Sequence, residues 1–162
     1  KSAIWGNGTH YNRRFDQDGR LTNHPQASLT YDMAGRIVLQ DRGTPPQSYG
    51  YDALDRLTRY VDSNNLVSTY TYDANGNRTQ LTQGSATTTY NIPLTSNRLN
   101  SQSGTANKSY TYDAAGNLTA DGIFTYTYNA QNRLIRAVSK KGKTDYAYNG
   151  LGQRVAKIHG HT

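Results

Sequence analysis

The sequence contains no cysteine and no glutamate; all 11 acidic residues are aspartate. Without thiols the chain can form neither disulfides nor thiolate metal sites, and cysteine usage says nothing about its compartment. Hydrophobic residues make up only 34% of the chain and mean hydropathy is −0.87, which argues against a thick aliphatic core. No apolar run approaches the roughly 20 residues that a membrane-spanning helix needs. No secretory leader opens the chain. It does not begin with Met and is read as a piece of a longer protein, so a missing leader carries no information about export. Glutamate, a good helix former, is absent, 15 residues are glycine, and no window shows a 3.6-residue apolar period.

What is abundant is strand-forming: 14 Tyr and 20 Thr. The clearest unit is Tyr110-Thr111-Tyr112-Asp113-Ala114-Ala115-Gly116-Asn117-Leu118-Thr119. Aromatic and β-branched residues lead into Asp113, whose carboxylate can accept bonds from backbone N–H groups just ahead. Gly116 follows at the fourth place of a type I turn, and a left-handed residue there gives the common three-residue hairpin loop with a bulge. That loop predicts Tyr112 opposite Leu118 and Asp113 opposite Asn117. Side-chain alternation then puts Tyr110, Tyr112 and Leu118 on one face and Thr111, Asp113, Asn117 and Thr119 on the other.

The unit recurs with drift. Its aromatic and carboxylate or amide places are Phe15-Asp16, Tyr31-Asp32, Tyr51-Asp52, Tyr72-Asp73, Tyr112-Asp113, Tyr128-Asn129 and Tyr148-Asn149. Glycine holds the left-handed place at Gly19, Gly35, Gly76, Gly116 and Gly152, while Asp55 and Asn132 stand there in two copies. One copy, over 90–99, is degenerate: Asn97-Arg98-Leu99 survives, but Pro93 and extra residues predict an irregular tip. The leading aromatics fall at 15, 31, 51, 72, 90, 112, 128 and 148, so eight hairpins are joined by return loops of variable length. Pro45-Pro46, Asp62–Asn65, Gln83–Ala86, Gly104–Asn107 and the basic run Lys140-Lys141-Gly142-Lys143 supply those loops. Trp5 and Tyr11 are expected to cap the exposed end of the sheet. The expected fold is all-β: repeated antiparallel hairpins forming one curved or spiralling sheet domain over 1–162.

Candidate chemistry is weak against this background. The carboxylates of Asp16, Asp32, Asp52, Asp73 and Asp113 are explained as turn formers, so no catalytic residue and no enzyme activity is expected. His10, His24, His159 and His161 lack a third ligand at metal spacing, so no metal or other cofactor is expected. The Asp73–Asn77 stretch lacks the spacing and closing Glu of a calcium loop. Four Asn-x-Ser/Thr triplets, at Asn7, Asn77, Asn107 and Asn117, follow from an Asn- and Thr-rich repeat. The formal charge of +7 permits anionic partners. Tyr beside Arg and Lys makes a glycan- or polyanion-binding surface the alternative function, with nucleic acid not an expected partner. Open strand edges predict association with further shell or with another copy.

The motif resembles the YD repeat, Tyr-Asp-x-x-Gly-Arg/Asn-Leu, of the Rhs and teneurin families, and the resemblance covers Phe15 to Val155. It implies a β-sheet that winds into a hollow shell. In bacterial members such a shell holds a C-terminal toxin or effector segment of a secreted or cell-surface protein. The resemblance carries over only structural positions: Phe15, Asp16, Gly19, Tyr31, Asp32, Gly35, Tyr51, Asp52, Tyr72, Asp73, Gly76, Tyr112, Asp113, Gly116, Tyr128, Tyr148 and Gly152. Neither autoproteolysis nor toxicity is carried over.

Overall fold

The computed structural model describes residues 2–4, 6–8, 10–43 and 45–160. Trp5 and His161, both singled out in the sequence, lie outside the described residues. No helix occurs among them. The chain falls into two compact units, 1–87 and 88–162.

In the first unit β1 (Ser2–Ile4) and β2 (His10–Asn12) form a hairpin of their own. The strands β3 (Arg14–Phe15), β4 (Leu21–His24), β5 (Ala27–Tyr31), β6 (Ile37–Asp41), β7 (Gln47–Tyr51), β8 (Leu57–Val61), β9 (Val67–Tyr72) and β10 (Arg78–Gln83) follow as an antiparallel meander in chain order. Next comes β11 (Ala86–Asn91), which pairs with β12 (Ser101–Gly104), which in turn pairs with β13 (Lys108–Ser109). The rest of the second unit is a six-stranded meander: β14 (Thr111–Tyr112), β15 (Leu118–Ala120), β16 (Thr125–Tyr128), β17 (Leu134–Ser139), β18 (Gly142–Tyr148) and β19 (Arg154–Gly160).

Each Asp-headed turn has the same construction. The Asp N–H donates to the carbonyl four residues on, and the residue three on donates back to the Asp carbonyl, as at Asp113 with Asn117 and Gly116 (both 3.0 Å). The Asp Oδ1 accepts from the backbone N–H two and four residues ahead, at 3.0 and 2.8 Å for Asp16. Asn129 and Asn149 do the same with an amide oxygen. The left-handed place is real at every one of these turns: Gly116 has φ 90°, and the non-glycine Asp55 and Asn132 have φ 62° and 58°. Tyr112 pairs with Leu118, and a bulge separates that pair from Thr111 with Ala120.

One sequence expectation is sharpened and one is corrected. Asp62–Asn65 makes a return turn, as expected. It repeats the Asp turn in full, with Asn65 at φ 61° and Asp62 Oδ1 accepting from Asn64 and Leu66. The basic turn is only Lys140-Lys141, because Gly142 and Lys143 already lie in β18. On the polar face the Thr111 and Thr119 hydroxyls meet at 2.8 Å, and Asp113 and Asn117 are half-buried.

Among the described residues only Ala27 and Ala137 of the apolar side chains, and Ser68 and Thr88 of the polar ones, are buried, and no large side chain is fully enclosed. A sheet of this kind has little core to hold it. What ties one hairpin to the next therefore has to lie within the sheet surface itself.

Candidate functional site

The tie begins with the motif tyrosine. A strand residue two places from a fixed turn has its ring held on one face of the sheet, and the ring's length carries the hydroxyl across to the neighbouring hairpin. Tyr31 donates to the Leu21 carbonyl (2.8 Å), Tyr51 to Ile37 (2.8 Å), Tyr72 to Leu57 (2.7 Å), Tyr112 to Leu99 (2.9 Å), Tyr128 to Leu118 (3.0 Å) and Tyr148 to Leu134 (2.8 Å). Each acceptor is the residue just after the Arg or Asn place of the preceding copy. Phe15 heads the first copy, is exposed, and has no hydroxyl to donate.

The preceding copy's arginine closes over the same ring. Guanidinium carbons lie 5.1 Å from the Tyr31 ring centroid (Arg20), 4.9 Å from Tyr51 (Arg36) and 4.9 Å from Tyr72 (Arg56). Arg98 over Tyr112 and Arg133 over Tyr148 lie at 5.7 and 5.8 Å. Contacts of this kind contribute about 0.5–1 kcal/mol each where exposed. The same arginine binds its own turn: Arg20, Arg36 and Arg56 pair with Asp16, Asp32 and Asp52 at 2.6–2.7 Å. It also reaches forward. Arg36 Nη1 donates to the Asp52 carbonyl and to Asp55 Oδ1, and Arg56 Nη1 to the Asp73 carbonyl. Asn77 and Asn117 replace arginine in two copies and donate to Asp73 and Asp113 (2.9 Å each); Asn117 also reaches Asn132 Oδ1.

Glycine has a second duty here. A Cβ on Gly116 would stand 2.8 Å from Arg98 Nη2, and one on Gly152 would collide with the Arg133 guanidinium. The turn glycine of one copy thus leaves room for the arginine of the copy before it. The degenerate copy over 90–99 lacks the Asp turn, yet Arg98 and Leu99 still serve Tyr112.

The motif carboxyls are all held below the usual 3.8. For Asp73 and Asp113 the leading cause is the hydrogen bond from the Asn77 or Asn117 amide. For Asp32 it is the Arg36 backbone N–H. For Asp16 and Asp52 burial is the largest single influence and pushes up, but the arginine and backbone N–H bonds together outweigh it. Tyr126, part-buried and donating to Asp121 at 2.9 Å, is pushed up to about 12, by burial first and the carboxylate second.

A carboxyl depressed in the fold stabilises it fully above the unfolded value of 3.8, and that stability is lost as pH falls through the folded values. The melting temperature should therefore fall as pH drops through and below 3.8. Asp73→Asn and Asp113→Asn should each flatten that fall, because Asn129 and Asn149 show that an amide keeps the turn. Circular dichroism melts across this range check it; an unchanged slope in both variants contradicts the assignment.

The arrangement joins hairpins and leaves no candidate acid–base pair. The hydroxyls of the six motif tyrosines are occupied by main-chain carbonyls, and the motif carboxylates by their own turns. Among the described residues no cluster of three metal-ligating side chains forms. His159 Nδ1 meets the Thr144 hydroxyl at 3.0 Å.

Residues 20–162 match the family model described as Teneurin YD-shell. The chain belongs to the YD-shell family. It is 34% identical over 111 residues to the tRNA3(Ser)-specific nuclease WapA of Bacillus spizizenii, covering 66% of this chain and 5% of that protein. It is 29% identical over 143 residues to human Teneurin-4, covering 83% of this chain and again 5% of the relative. The chain thus spans about a twentieth of the length of these relatives. Its fold matches the crystal structure of TcdB2-TccC3-TEV with a TM-score of 0.67 at 16% identity, over 98% of this chain and 11% of that one. It matches the Photorhabdus luminescens Tc holotoxin pore at 0.58 and 16%, over 98% and 12%. As a YD-shell segment, the chain has a structural role, and the Tyr–Arg–Asp ties are the local means of that role.

Proposed function

We propose that this chain is a non-enzymatic stretch of wall in a YD shell, and that the longer protein uses the shell to enclose or present a C-terminal effector polypeptide. One observation carries the reading: successive hairpins are joined by Tyr hydroxyl to main-chain carbonyl bonds roofed by arginine, in a sheet with no large buried side chain. Such a sheet gains stability by adding neighbours rather than by thickening a core, which suits a wall. Similarity to a tRNA nuclease does not move the nuclease activity here, because only a twentieth of that protein is matched. Secretion or cell-surface display belongs to the same reading. So does pairing of the open edge of β19 with further shell.

The test is protease protection in the full-length natural protein. The effector segment should survive protease while the shell is intact. It should be cut once Tyr-to-Ala changes at three successive ties loosen the wall. Digestion of the effector as fast as that of the isolated effector overturns the proposal.

A further inference from the structure

One cross-strand pair in the first unit departs from the pattern of the repeat. The tyrosine two places before the motif tyrosine stands opposite Leu81 for Tyr70, Ala137 for Tyr126 and Lys157 for Tyr146. The repeat therefore asks for no aromatic partner at that place. In the copy headed by Asp52 the partner is a second tyrosine: Tyr49 of β7 lies opposite Tyr60 of β8. The two rings stack with centroids 5.3 Å apart and planes 29° from parallel. Phe124 and Tyr126 also stack, at 6.0 Å, but phenylalanine carries no phenol.

Stacking alone leaves the relative rotation of two phenols open, and here hydrogen bonds fix it. The Tyr49 hydroxyl donates to Gln47 Oε1 at 3.3 Å, and Gln47 Nε2 donates to the Tyr60 hydroxyl at 3.0 Å. One carboxamide thus spans both oxygens, so the hydroxyls point the same way and the Cε carbons beside them lie at the same end of the stack. Gln40 on β6 holds the assembly from the neighbouring strand. With its oxygen toward Arg42 it accepts from Nε and Nη2 at 2.9 Å each, and its nitrogen donates to the Tyr49 hydroxyl at 3.2 Å. Neither hydroxyl takes part in a tie between hairpins. Both rings are half-buried, so a small diffusing oxidant reaches them.

We propose that Tyr49 and Tyr60 are a site of oxidative cross-linking, at which a one-electron oxidant derived from a peroxide joins the two rings as dityrosine. Each hydroxyl gives up one electron and one proton, which leaves two phenoxyl radicals with spin density on the ring carbons beside the oxygen. A Cε carbon of each ring then couples to form one carbon–carbon bond. Each coupled carbon passes its hydrogen to its own ring's oxygen through solvent, and both phenols are restored. The two electrons and two protons cleave and reduce one peroxide O–O bond. The fold supplies what free tyrosine lacks, because two radicals held in contact couple without waiting for a collision. The product links β7 to β8 covalently across the hairpin that turns at Asp52–Asp55. The inference rests on this pair alone: its failure would leave the shell reading intact, and loss of effector protection would leave the cross-link intact.

The dilute protein is illuminated with tris(bipyridyl)ruthenium(II) and persulfate, a peroxide whose O–O bond takes the electrons, and the monomer band is isolated. That band should carry dityrosine fluorescence. Trypsin cuts after Arg42, Arg56, Arg59 and Arg78, so the link should appear as peptide 43–56 joined to peptide 60–78 and lighter than their sum by two hydrogen atoms. Fragmentation should place it at Tyr49 and Tyr60. Tyr49→Phe and Tyr60→Phe keep the stacked rings and should each remove most of the monomer's dityrosine fluorescence, while Tyr146→Phe should leave it unchanged. In urea that unfolds the chain, linkage should spread over many tyrosine pairs. Circular dichroism melts confirm that the variants fold, and the peptide map of the parent protein decides the matter without them. Monomer fluorescence equal to the parent's in both Phe variants overturns the proposal, as does a map in which other pairs carry most of the linkage or one that urea leaves unchanged.

Discussion

Gly116→Val should destabilise the protein by about 3 kcal/mol, from two causes that can be separated. Gly116 sits at φ 90°, where a β-branched residue is strained. Its missing Cβ is also the space in which the Arg98 guanidinium lies, with Nη2 at 2.8 Å and Cζ at 3.3 Å from where that atom would be. Arg98→Ala in the valine background should recover the steric part and leave the backbone part. Gly116→Asn should cost less, because Asn132 and Asn65 already hold the same turn place at φ 58° and 61°. Urea unfolding of the four proteins checks this. A valine variant within about 0.5 kcal/mol of the parent contradicts both causes.

Tyr72→Ala should cost about 3 kcal/mol, and Tyr72→Phe about 1 kcal/mol. The alanine change removes a half-buried ring, its hydrogen bond to Leu57 and the surface on which Arg56 rests. The phenylalanine change removes only the hydroxyl and leaves the Leu57 carbonyl to find water. The contrast matters because Phe15 shows that a copy can carry the ring without the hydroxyl. Equal losses for the two variants would mean that the ring's packing counts for nothing beyond its hydroxyl. No loss for phenylalanine would mean that the hydroxyl bond adds nothing.

The turns were legible in the sequence because everything that makes them is local. Asp113, Gly116 and Asn117 specify their own hydrogen bonds within five residues, and the same logic placed Asp55 and Asn132 in the left-handed region. The Tyr112–Leu118 pairing followed from loop length alone. The ties between hairpins were not legible. The acceptor at Leu57 is a main-chain carbonyl, which leaves no mark in the sequence. The partners of Tyr51 and Tyr72 lie at separations that change with each return loop. Arginine over the ring was also disguised, since Asn77 and Asn117 take its place in two copies. One hint was present: the motif aromatic is tyrosine in every copy except the first, and packing alone would have tolerated phenylalanine. Asp62–Asn65 was legible as a return turn, but its full Asp-turn hydrogen bonding was not, because it lies on the return side of the hairpin, outside the repeat.

The central claim is that hairpins are coupled through the tyrosine and the arginine above it. A double-mutant cycle tests it most directly, by equilibrium unfolding of Tyr72→Leu, Arg56→Met and the pair, with Tyr72→Leu and Arg20→Met as the control pair. Arg56 and Tyr72 share one tie, and Arg20 belongs to another. The account predicts a coupling of about 0.5 kcal/mol or more between Tyr72 and Arg56, and additivity between Tyr72 and Arg20. Additivity in both pairs would contradict it.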